Sequence, residues 1–508
     1  MSYLIGLDVG TSGVKAILIN PRGRVVASAF GEYPMATPKP LWAEQNPEAW
    51  WRAAMSTLRR IVKIAGGSTK IAGLGLTGQM HGLVLLDSRG KVLRPCIMWN
   101  DQRTAEECSE ITSMVGEDRL LAMTGNPVLP GFTAPKILWV RKHEPAVYGN
   151  TSHVLLPKDY VRYRLTGEYA SEMSDASGTS LLDVRNRRWS NEILQALRIP
   201  AEWLPSLVES PGLTGGVSRV AAQATGLREG TPVVGGGGDQ AAGGVGSGTV
   251  AEGTISVTIG TSGVVFAHSN TYRVEQKGRL HAFCHSVPGA WHLMGVTLSA
   301  GGSLRWVRDT LCAEEILLAK KRRVDPYEIM MASAARSPAG SEGLLFLPYL
   351  SGERTPYPDP HARAAFIGLT VRHGKSHMIR SVLEGVAFSL RDCLELMKAM
   401  DIQADDVRVS GGGARSKLWC RILADVLGTR LSTVTSTEGA PYGAALLAGV
   451  GVGIFGSVTE ACSRTVRVAS STEPGRDRVL YDELYQIYRQ SYPQNQPIFH
   501  SLSNLSNK

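Results

Sequence analysis

The residue best placed to do chemistry is Asp239, a single carboxylate inside a stretch in which half of the residues are glycine (VVGGGGDQAAGGVGSG, residues 233–248). Glycine at this density is typical of a backbone that adopts unusual conformations or approaches another group closely. A small polar substrate could reach a carboxylate in such surroundings, and the carboxylate could accept the proton of a substrate hydroxyl. The alternative is that Asp239 is a structural residue that supports the loop through an Asx-turn.

A second candidate, Asp8, is identified by an internal repeat. Residues 4–20 (LIGLDVGTSGVKAILIN) resemble residues 254–270 (TISVTIGTSGVVFAHSN), and both contain the pentapeptide GTSGV. Alignment of the two copies places Asp8 opposite Thr258. Burying a carboxylate in a strand costs free energy unless other groups compensate its charge. The second copy has the hydroxyl of Thr258 at this position, so the strand itself does not require a carboxylate. We therefore expect Asp8 to be functional.

The repeated turns could themselves bind phosphate. Backbone N–H groups in a tight turn rich in Gly, Ser and Thr form a concave site for anions, and Thr hydroxyls add donors. Thr11 and Ser12 in one copy, with Gly260 and Thr261 in the other, could hold a polyphosphate from opposite sides. Phosphoryl transfer needs mainly positioned phosphates, Mg²⁺ and a base for the attacking hydroxyl. Asp8 would act near the metal, and Asp239 would act at the hydroxyl.

Other glycine patterns are weaker evidence for a nucleotide site. The chain contains no GxxxxGK[ST] sequence, which excludes a P-loop. Residues 73–78 match GxGxxG, but residues 71–76 read as the strand itself, whereas a dinucleotide fingerprint places its glycines between strand and helix. A dehydrogenase is thus only an outside alternative. Residues 407–428 predict a strand, a glycine loop and a helix, where either a bound nucleotide or a close helix–strand crossing could require the glycines.

Strands and helices alternate around these candidates. Each GTSGV copy lies between apolar, β-branched runs and predicts a β-hairpin, and residues 25–30 predict a third strand after the first hairpin. Asn46 and Pro47 predict a helix start, and apolar residues at helical spacing predict a long amphipathic helix over residues 378–397. Strands with helices on both sides indicate an α/β architecture, and 508 residues predict two or more domains.

Composition excludes several classes of protein. With 43% hydrophobic and 19% charged residues, the chain is an ordinary globular protein rather than a disordered or fibrous one. The net charge of +9 is spread out and no RNP or zinc-finger pattern accompanies it, so we expect no nucleic-acid partner. The N-terminus lacks the basic region of a signal peptide. The uncharged residues 440–458 are interpreted as a buried helix with a glycine-rich turn rather than a membrane span.

The cysteines and the C-terminal tail give further expectations about environment, metal binding and order. Seven scattered cysteines without a CxxC pair indicate free thiols in a reducing, cytoplasmic environment. In the segment HAFCH, a strand would place His281 and His285 on one face and Cys284 on the other, so we expect no zinc site. The polar tail, residues 491–508, follows a helix predicted near residues 479–489 and is expected to be loosely ordered.

Five segments, in order along the chain, resemble the FGGY family of carbohydrate kinases. They are GLDVGTSGVKAIL (residues 6–18), GGGGDQAAG (235–243), TIGTSG (258–263), SGERTPYPDPHARAAFIGLT (351–370) and VSGGGARSKLWCRILADVLG (409–428). The two longer signatures of the family are also matched, by GFTAPKILWVRKH (131–143) and AAFIGLTVRHGKSHMIRSVLE (364–384). The resemblance extends to about residue 449, and the combination of motifs is highly specific.

Three further segments resemble the branch of the family that phosphorylates D-xylulose: LTGQMHGLVLLD (76–87), WNDQRT (99–104) and HAFCHSVPGAWHLMG (281–295). The resemblance implies the reaction ATP + D-xylulose → ADP + D-xylulose 5-phosphate with Mg²⁺ as cofactor. It also implies two ribonuclease-H-like domains of the actin/hexokinase type with a cleft between them. We place the sugar-binding domain at residues 1–249 and the nucleotide-binding domain at residues 250–508. A homodimer is left open.

The resemblance also assigns roles to individual residues. Asp239 matches the base that takes the proton of the sugar's terminal hydroxyl, Asp8 matches the acid that orients Mg²⁺, and both are candidate metal ligands. The other matches are the phosphate contacts Thr11, Ser12, Gly260 and Thr261, the nucleotide pocket Gly301, Gly412, Gly413 and Ser416, and the sugar contacts Gln79, Met80 and His81. Gln240 stands where many members of that branch have Asn, which leaves the exact pentulose open.

Three other functions are alternatives to this one. Another kinase of the family could act on ribulose, glycerol, gluconate or fuculose. A sugar- or nucleotide-binding regulator with an inactive kinase fold would lack the base or the metal acid, and both are present in this chain. A filament-forming relative of actin would have no use for the sugar-pocket segments at residues 76–87 and 281–295.

Overall fold

Strands and helices alternate along residues 2–506, the part of the chain that the computed structural model describes. Up to residue 251 the strands are β1 (Tyr3–Val9), β2 (Gly13–Ile19), β3 (Val25–Glu32), β4 (Glu44–Gln45), β5 (Ile71–Gly78), β6 (Val84–Leu86), β7 (Cys96–Ile97), β8 (His153–Leu155), β9 (Ala170–Glu172), β10 (Leu182–Asp183), β11 (Arg188–Trp189), β12 (Ser206–Val208), β13 (Leu213–Gly216), β14 (Pro232–Val234) and β15 (Gly237–Gly238). The helices of that stretch are α1 (Pro47–Ala65), α2 (Ala105–Val115), α3 (Glu117–Thr124), α4 (Thr133–His143), α5 (Pro145–Gly149), α6 (Pro157–Thr166), α7 (Met173–Ala176), α8 (Asn191–Leu197), α9 (Arg219–Thr225) and α10 (Asp239–Ser247).

The elements beyond residue 251 are again mixed. The strands are β16 (Gly253–Ile259), β17 (Gly263–Ser269), β18 (His281–Cys284), β19 (Trp291–Thr297), β20 (Leu345–Leu347), β21 (Ala365–Ile367), β22 (Ala404–Gly411), β23 (Leu431–Val434) and β24 (Val468–Thr472). The helices are α11 (Gly301–Leu311), α12 (Ala313–Arg322), α13 (Pro326–Ala334), α14 (Lys375–Lys398), α15 (Lys417–Leu427), α16 (Ala440–Gly451), α17 (Val458–Thr465) and α18 (Arg478–Ser506).

The described residues divide into two compact units, each made of several segments of chain. The first unit contains residues 2–251, 268–292 and 438–467, and the second contains residues 252–267, 293–437 and 468–506. The first unit therefore includes two segments that follow the boundary predicted between residues 249 and 250. One of these segments contains α16, which packs against β1 and β5 of the first unit. The assignment of a sugar-binding and a nucleotide-binding domain stays a prediction.

A mixed sheet with the strand order β13-β14-β5-β1-β2-β3 forms the centre of the first unit. The predicted hairpin is confirmed as β1 and β2, and β3 follows as the predicted third strand. On the other side of β1, strand β5 runs parallel to it. Helix α1 covers one face of the sheet and buries Trp50 and Leu58 completely. The predicted start of this helix is also confirmed, because the Asn46 side chain caps it by accepting the N–H of Glu48.

Helix α16 covers the opposite face of the same sheet. A side chain has no room at the crossing, since a Cβ on Gly6 would lie 1.8 Å from the carbonyl oxygen of Pro441 and one on Gly75 would lie 2.1 Å from that of Ala444. The GxGxxG match at residues 73–78 is therefore a strand on which a helix packs closely. The prediction of a buried helix and turn over residues 440–458 is confirmed. Among residues 2–506, no helix combines the length and the apolar character that crossing a membrane requires.

The second unit repeats this arrangement around the strand order β17-β16-β22-β23-β24. Strands β16 and β17 form the second predicted hairpin, and β22 runs parallel to β16 as β5 does to β1. The predicted long amphipathic helix is α14, and α15, the helix predicted after the third glycine cluster, packs on it. The predicted α/β fold with two similar halves is confirmed.

The polar C-terminal tail is helical, and the expectation of loose order is wrong for residues 491–506, which continue helix α18; residues 507–508 lie outside the described part. The Asp359 carboxylate explains this order, because it accepts the hydroxyl of Tyr492 and lies 2.7 Å from His500 Nε2. Ser503 is almost fully buried and bonds His361 Nδ1 at 2.9 Å. Side-chain contacts within the second unit thus hold a helix that the composition of the tail did not indicate.

We expect Asp359→Ala to loosen the end of helix α18. A hydrogen bond to a charged acceptor stabilises the folded state by about 1.5–3 kcal/mol. Because local opening becomes easier when such a bond is lost, amide exchange in residues 494–506 should become roughly 10- to 100-fold faster. The matched control is Asp309→Ala, which removes an exposed carboxylate paired with Arg308 and should leave this exchange unchanged. Hydrogen-exchange mass spectrometry provides the measurement, and equal protection in Asp359→Ala and the wild type would contradict the assignment.

Candidate active site

The two candidate carboxylates lie at the same edge of the first unit's sheet. In the parallel register of β1 and β5, Asp8 lies beside Thr77. Strand β15 is also parallel to β5, with Gly238 beside Gly78, and the next residue, Asp239, begins helix α10. Three parallel strands therefore end together, and the carboxyl edge of such strands is where α/β proteins place their ligands. Both carboxylates are partly exposed there.

The glycines around Asp239 are explained by close packing of the backbone. Gly236 has a φ of +75°, and a Cβ there would lie 1.8 Å from the carbonyl oxygen of Leu76. A Cβ on Gly246 would lie 2.2 Å from the carbonyl oxygen of Gly439, where α10 crosses α16. The close approach predicted from the glycine density is thus an approach to the protein's own strands and helices, and it fixes the position at which α10 presents its first residue.

The environment of Asp8 and Asp239 disfavours their charged forms. Burial raises the pKa of Asp239 to about 6, against hydrogen bonds from the backbone and side chain of Gln240, which lower it. Burial and then the charge of Asp239 raise the pKa of Asp8 to about 7, while Lys15 lowers it. The negative charge of Asp239 thus opposes ionisation of Asp8. Paired carboxylates with pKa values near neutrality are typical of a site for proton transfer or cation binding.

A divalent cation fits the oxygen atoms at this edge. Asp8 Oδ1 and Thr77 Oγ1 are buried and have no hydrogen-bond partner among the described residues. Carboxylate oxygens suit Mg²⁺, which is usually bound by one or two carboxylates, water and substrate phosphates rather than by a complete protein cage. Residues 2–506 contain no group of three or more His, Cys, Asp or Glu side chains placed to hold a metal.

The turn between β1 and β2 is held by side chains of the same unit. The N–H of Gly10 donates to the carbonyl of Gly13 at 3.1 Å and closes the turn. Gln45 Nε2 donates to the carbonyl of Thr11 at 2.7 Å, and Trp99 Nε1 donates to Thr11 Oγ1 at 3.1 Å. Ser12 at the tip of the turn is exposed. The candidate phosphate contacts Thr11 and Ser12 therefore lie on an ordered turn directly after the strand that contains Asp8.

In the second unit, the candidate nucleotide residues gather at the matching edge of the sheet. The N–H of Gly301 donates to the carbonyl of Gly260 at 2.8 Å, and the N–H of Gly302 donates to the carbonyl of Thr261 at 2.9 Å. The start of helix α11 therefore rests directly on the second GTSG turn. A Cβ on Gly413 would lie 2.6 Å from a side-chain carbon of Ile259, the last residue of β16.

The other residues of the third glycine cluster include a helix cap. Gly412 and Gly413 belong to a short 3₁₀ turn, Gly412–Arg415, that follows strand β22. The hydroxyl of Ser416 accepts the N–H of Trp419 at 3.2 Å and caps helix α15. Both readings of this cluster thus retain support, because the glycines permit close packing on β16 and also leave a helix N-terminus nearby. The approach of this edge to the first GTSG turn stays a prediction.

The three candidate sugar contacts directly follow strand β5. Gln79 Nε2 donates to Gln45 Oε1 at 3.1 Å, while Gln79 Oε1 is buried without a hydrogen-bond partner among the described residues. Met80 packs against the residue that precedes Asp239, since a Cβ on Gly238 would lie 2.9 Å from Met80 Sδ. His81 lies 2.7 Å, through Nδ1, from the carbonyl oxygen of Gly178. The structure thus brings Gln79 and Met80 close to the carboxylate edge.

A buried network beneath Asp239 was missed by sequence reasoning. Ser174 Oγ accepts the N–H of Gly238 at 3.0 Å and donates to the Glu172 carboxylate. Arg162 donates to the carbonyl of Gly235 at 2.8 Å and to Asp159, and all these side chains are fully buried. The network fixes both ends of the loop that leads to Asp239. Its signal in the sequence was the polar run SEMSDASGTS (171–180), whose side chains can satisfy backbone groups.

Comparisons with known proteins cover nearly the whole chain. The models for the N- and C-terminal domains of the FGGY family of carbohydrate kinases match residues 3–246 and 255–452. The xylulose kinase of Escherichia coli strain K12 is 41% identical over 498 residues, 97% of this chain and 99% of its own length. That of Bacillus subtilis strain 168 is 40% identical over 494 residues, 97% of each chain. A crystal structure described as a xyloylose kinase from Brucella ovis matches with a TM-score of 0.89 and 38% identity, covering 98% of this chain and 100% of the other.

Proposed function

We propose that this chain, which belongs to the FGGY family of carbohydrate kinases, transfers the γ-phosphoryl group of ATP to D-xylulose. The product is D-xylulose 5-phosphate. The observation that supports this most strongly is the pair Asp8 and Asp239 at one carboxyl edge, with Met80 packed beside Asp239's neighbour. Full-length relatives named xylulose kinase support the choice of sugar.

In the proposed mechanism Asp239 is the general base. Its pKa of about 6 leaves the carboxylate ionised at neutral pH and more basic than an ordinary aspartate. The carboxylate accepts the proton of the sugar's terminal hydroxyl as that oxygen attacks the γ-phosphorus, and ADP leaves. Gln240 supports the ionised form through its hydrogen bonds to the carboxylate. Met80, Gln79 and His81 contact the sugar in this proposal.

The remaining site residues handle the nucleotide. Asp8, together with Asp239, would hold Mg²⁺, which neutralises charge on the phosphates when it is bound. The turn residues Thr11 and Ser12 would contact phosphate oxygens through backbone N–H groups and hydroxyls. The corresponding residues of the second unit are Gly260, Thr261, Gly301, Gly412, Gly413 and Ser416. Enclosure of both substrates excludes water, which would otherwise take the phosphoryl group.

Other members of the family phosphorylate other sugars and polyols, and Gln240 bears on that choice. Its backbone and side chain contact Asp239, so a change at this position alters the immediate surroundings of the acceptor hydroxyl. Ribulose, glycerol, gluconate and fuculose are therefore the alternative substrates. A cytoplasmic location stays a prediction that the seven buried cysteines support, and a homodimer stays a prediction.

We expect D-xylulose to give the highest kcat/KM in a coupled assay of ADP release across these five acceptors. A site built to hydrogen-bond the hydroxyls of one sugar discriminates strongly against analogues that leave its polar groups unpaired, by about 10²-fold or more. Each acceptor is compared with a reaction that lacks sugar, which measures ATP hydrolysis alone. A higher kcat/KM for one of the other four acceptors would reassign the substrate within the family, and no sugar-dependent ADP release with any of them would contradict the proposed function.

A further inference from the structure

A buried ammonium group lies directly behind a proposed sugar contact. Lys136, on helix α4, is fully buried. Its Nζ donates to the carbonyl of His81 at 2.9 Å and to the carbonyl of Gly131 at 2.7 Å. Burying an ammonium costs free energy, and two carbonyl dipoles compensate less than a carboxylate would. A residue retained under these conditions is a candidate for a functional role.

The carbonyl that Lys136 binds belongs to a residue in an unfavourable backbone conformation. His81 has a φ of +68°, in the left-handed region that residues other than glycine rarely adopt. The same carbonyl also accepts the hydroxyl of Thr133 at 3.1 Å. Two donors from the first turn of helix α4 therefore hold His81 in a conformation that its own sequence does not favour.

The imidazole of His81 is fixed as firmly as its backbone. Nδ1 lies 2.7 Å from the carbonyl oxygen of Gly178, which can only accept, so the hydrogen is on Nδ1. The ring stacks on Phe132 with centroids 4.5 Å apart and an interplanar angle of 13°. A Cβ on Gly178 would lie 2.4 Å from the ring, so only glycine leaves it room. Phe132 precedes helix α4, so the same element supports both the ring and the carbonyl.

We propose that Lys136 is a positioning residue for the sugar: its ammonium holds the His81 carbonyl, and thereby sets the orientation in which the imidazole meets the sugar. This inference rests on the proposed function, in which His81 contacts the acceptor. The hydrogen bonds of Lys136 are with the carbonyls of His81 and Gly131. Because neither residue is a proposed nucleotide contact, we expect Lys136 to affect sugar affinity and to leave ATP affinity unchanged.

The protonation of Lys136 provides a second signature. Burial lowers the pKa of Lys136 to about 7, and the charge of Arg103 lowers it further, against the opposing charge of Asp101. Burial also raises the pKa of the neighbouring Cys96 and Cys108 thiols to about 12, so both are neutral in the physiological range. Lys136 therefore loses its proton as pH rises through about 7, and a neutral amine is a weaker donor to a carbonyl than an ammonium. Sugar affinity should fall over the same range.

The test compares Lys136→Met with Lys142→Met, which removes a partly exposed ammonium from the same helix. In Lys136→Met we expect KM for D-xylulose to rise about tenfold or more, with KM for ATP within about twofold of the wild type. In the wild type, KM for D-xylulose should rise between pH 6.5 and 8.5, and Lys136→Met should lack this rise. Lys142→Met should match the wild type in KM for D-xylulose, in its pH dependence and in KM for ATP, although it also removes the partner of the buried Glu107 carboxylate.

A second variant keeps the inference testable if Lys136→Met does not fold. Thr133→Val removes the other donor to the His81 carbonyl and should raise KM for D-xylulose about threefold while leaving its pH dependence intact. An unchanged KM for sugar in Lys136→Met, or a wild-type KM for sugar that is flat above pH 6.5, would overturn the inference. Neither of these outcomes would contradict the proposed function. A wild-type protein that releases no ADP with any sugar would contradict the proposed function itself.

Discussion

Asp239→Asn is expected to lower kcat for D-xylulose phosphorylation by about 10²- to 10⁴-fold, the range that general-base catalysis contributes. An amide has nearly the size of the carboxylate but cannot accept the hydroxyl proton. KM for ATP should change much less than kcat, because Asp8 remains to hold Mg²⁺ while the base for the acceptor hydroxyl is lost. Steady-state kinetics of ADP release, with ATP and sugar varied separately, provide the measurement.

The matched control for this variant is Asp87→Asn in the same unit. Asp87 is half-buried and its carboxylate accepts the N–H groups of Arg89 and Lys91 in a turn, so kcat should be unchanged. The pH profile gives a second check, since the pKa of Asp239 of about 6 predicts that wild-type kcat falls as pH drops below 6. Normal kcat in Asp239→Asn would remove Asp239 from the mechanism.

Asp8→Asn should have the second largest effect, a loss of about 10²-fold in kcat at low Mg²⁺ that is partly recovered as Mg²⁺ is raised. The unpartnered Asp8 Oδ1 is the oxygen through which this carboxylate would hold the metal. A neutral amide oxygen is a weaker ligand for a hard cation than a carboxylate oxygen, so the variant requires more Mg²⁺ to bind the same fraction. A Mg²⁺ titration of kcat in the variant and the wild type measures the shift.

Thermal unfolding of Asp8→Asn provides a readout that is independent of activity. Because the pKa of Asp8 rises from 3.8 to about 7 on folding, the folded chain binds the proton more tightly than the unfolded chain. The stability contributed by this group is therefore fully present below pH 3.8 and is lost as pH rises from there through about 7. Asp8→Asn should raise Tm relative to the wild type at pH 8 and have little effect at pH 4. Equal Tm values at pH 8, with an unchanged Mg²⁺ requirement, would contradict the role of Asp8.

Much of the fold and of the first-unit site could be predicted from local sequence. The GTSGV repeat predicted both hairpins, and the mismatch between Asp8 and Thr258 identified a residue that lies at the same sheet edge as Asp239. Asn46 and Pro47 predicted a helix start because capping depends on neighbours within a few residues. Such features depend on short-range geometry, which a single sequence expresses directly.

The contacts that depend on distant segments were not accessible to sequence reasoning. Nothing near Gly246 in the sequence shows that Gly439 will lie against it, so the reason for the glycines around Asp239 appears only in the packing of α10 on α16. Lys136 lies within the family signature at residues 131–143, but its hydrogen bond to the His81 carbonyl joins residues 55 positions apart. The helical tail likewise depends on Asp359, well over one hundred residues earlier.

The most direct test of the central claim is a crystal structure of the chain with D-xylulose and a non-hydrolysable ATP analogue. We expect the sugar's terminal hydroxyl oxygen about 2.6–3.2 Å from a carboxylate oxygen of Asp239, the distance that a general base requires. We also expect Met80 and His81 in contact with the sugar. A bound sugar whose terminal hydroxyl lies beyond hydrogen-bonding reach of Asp239 would contradict the role of Asp239 as general base.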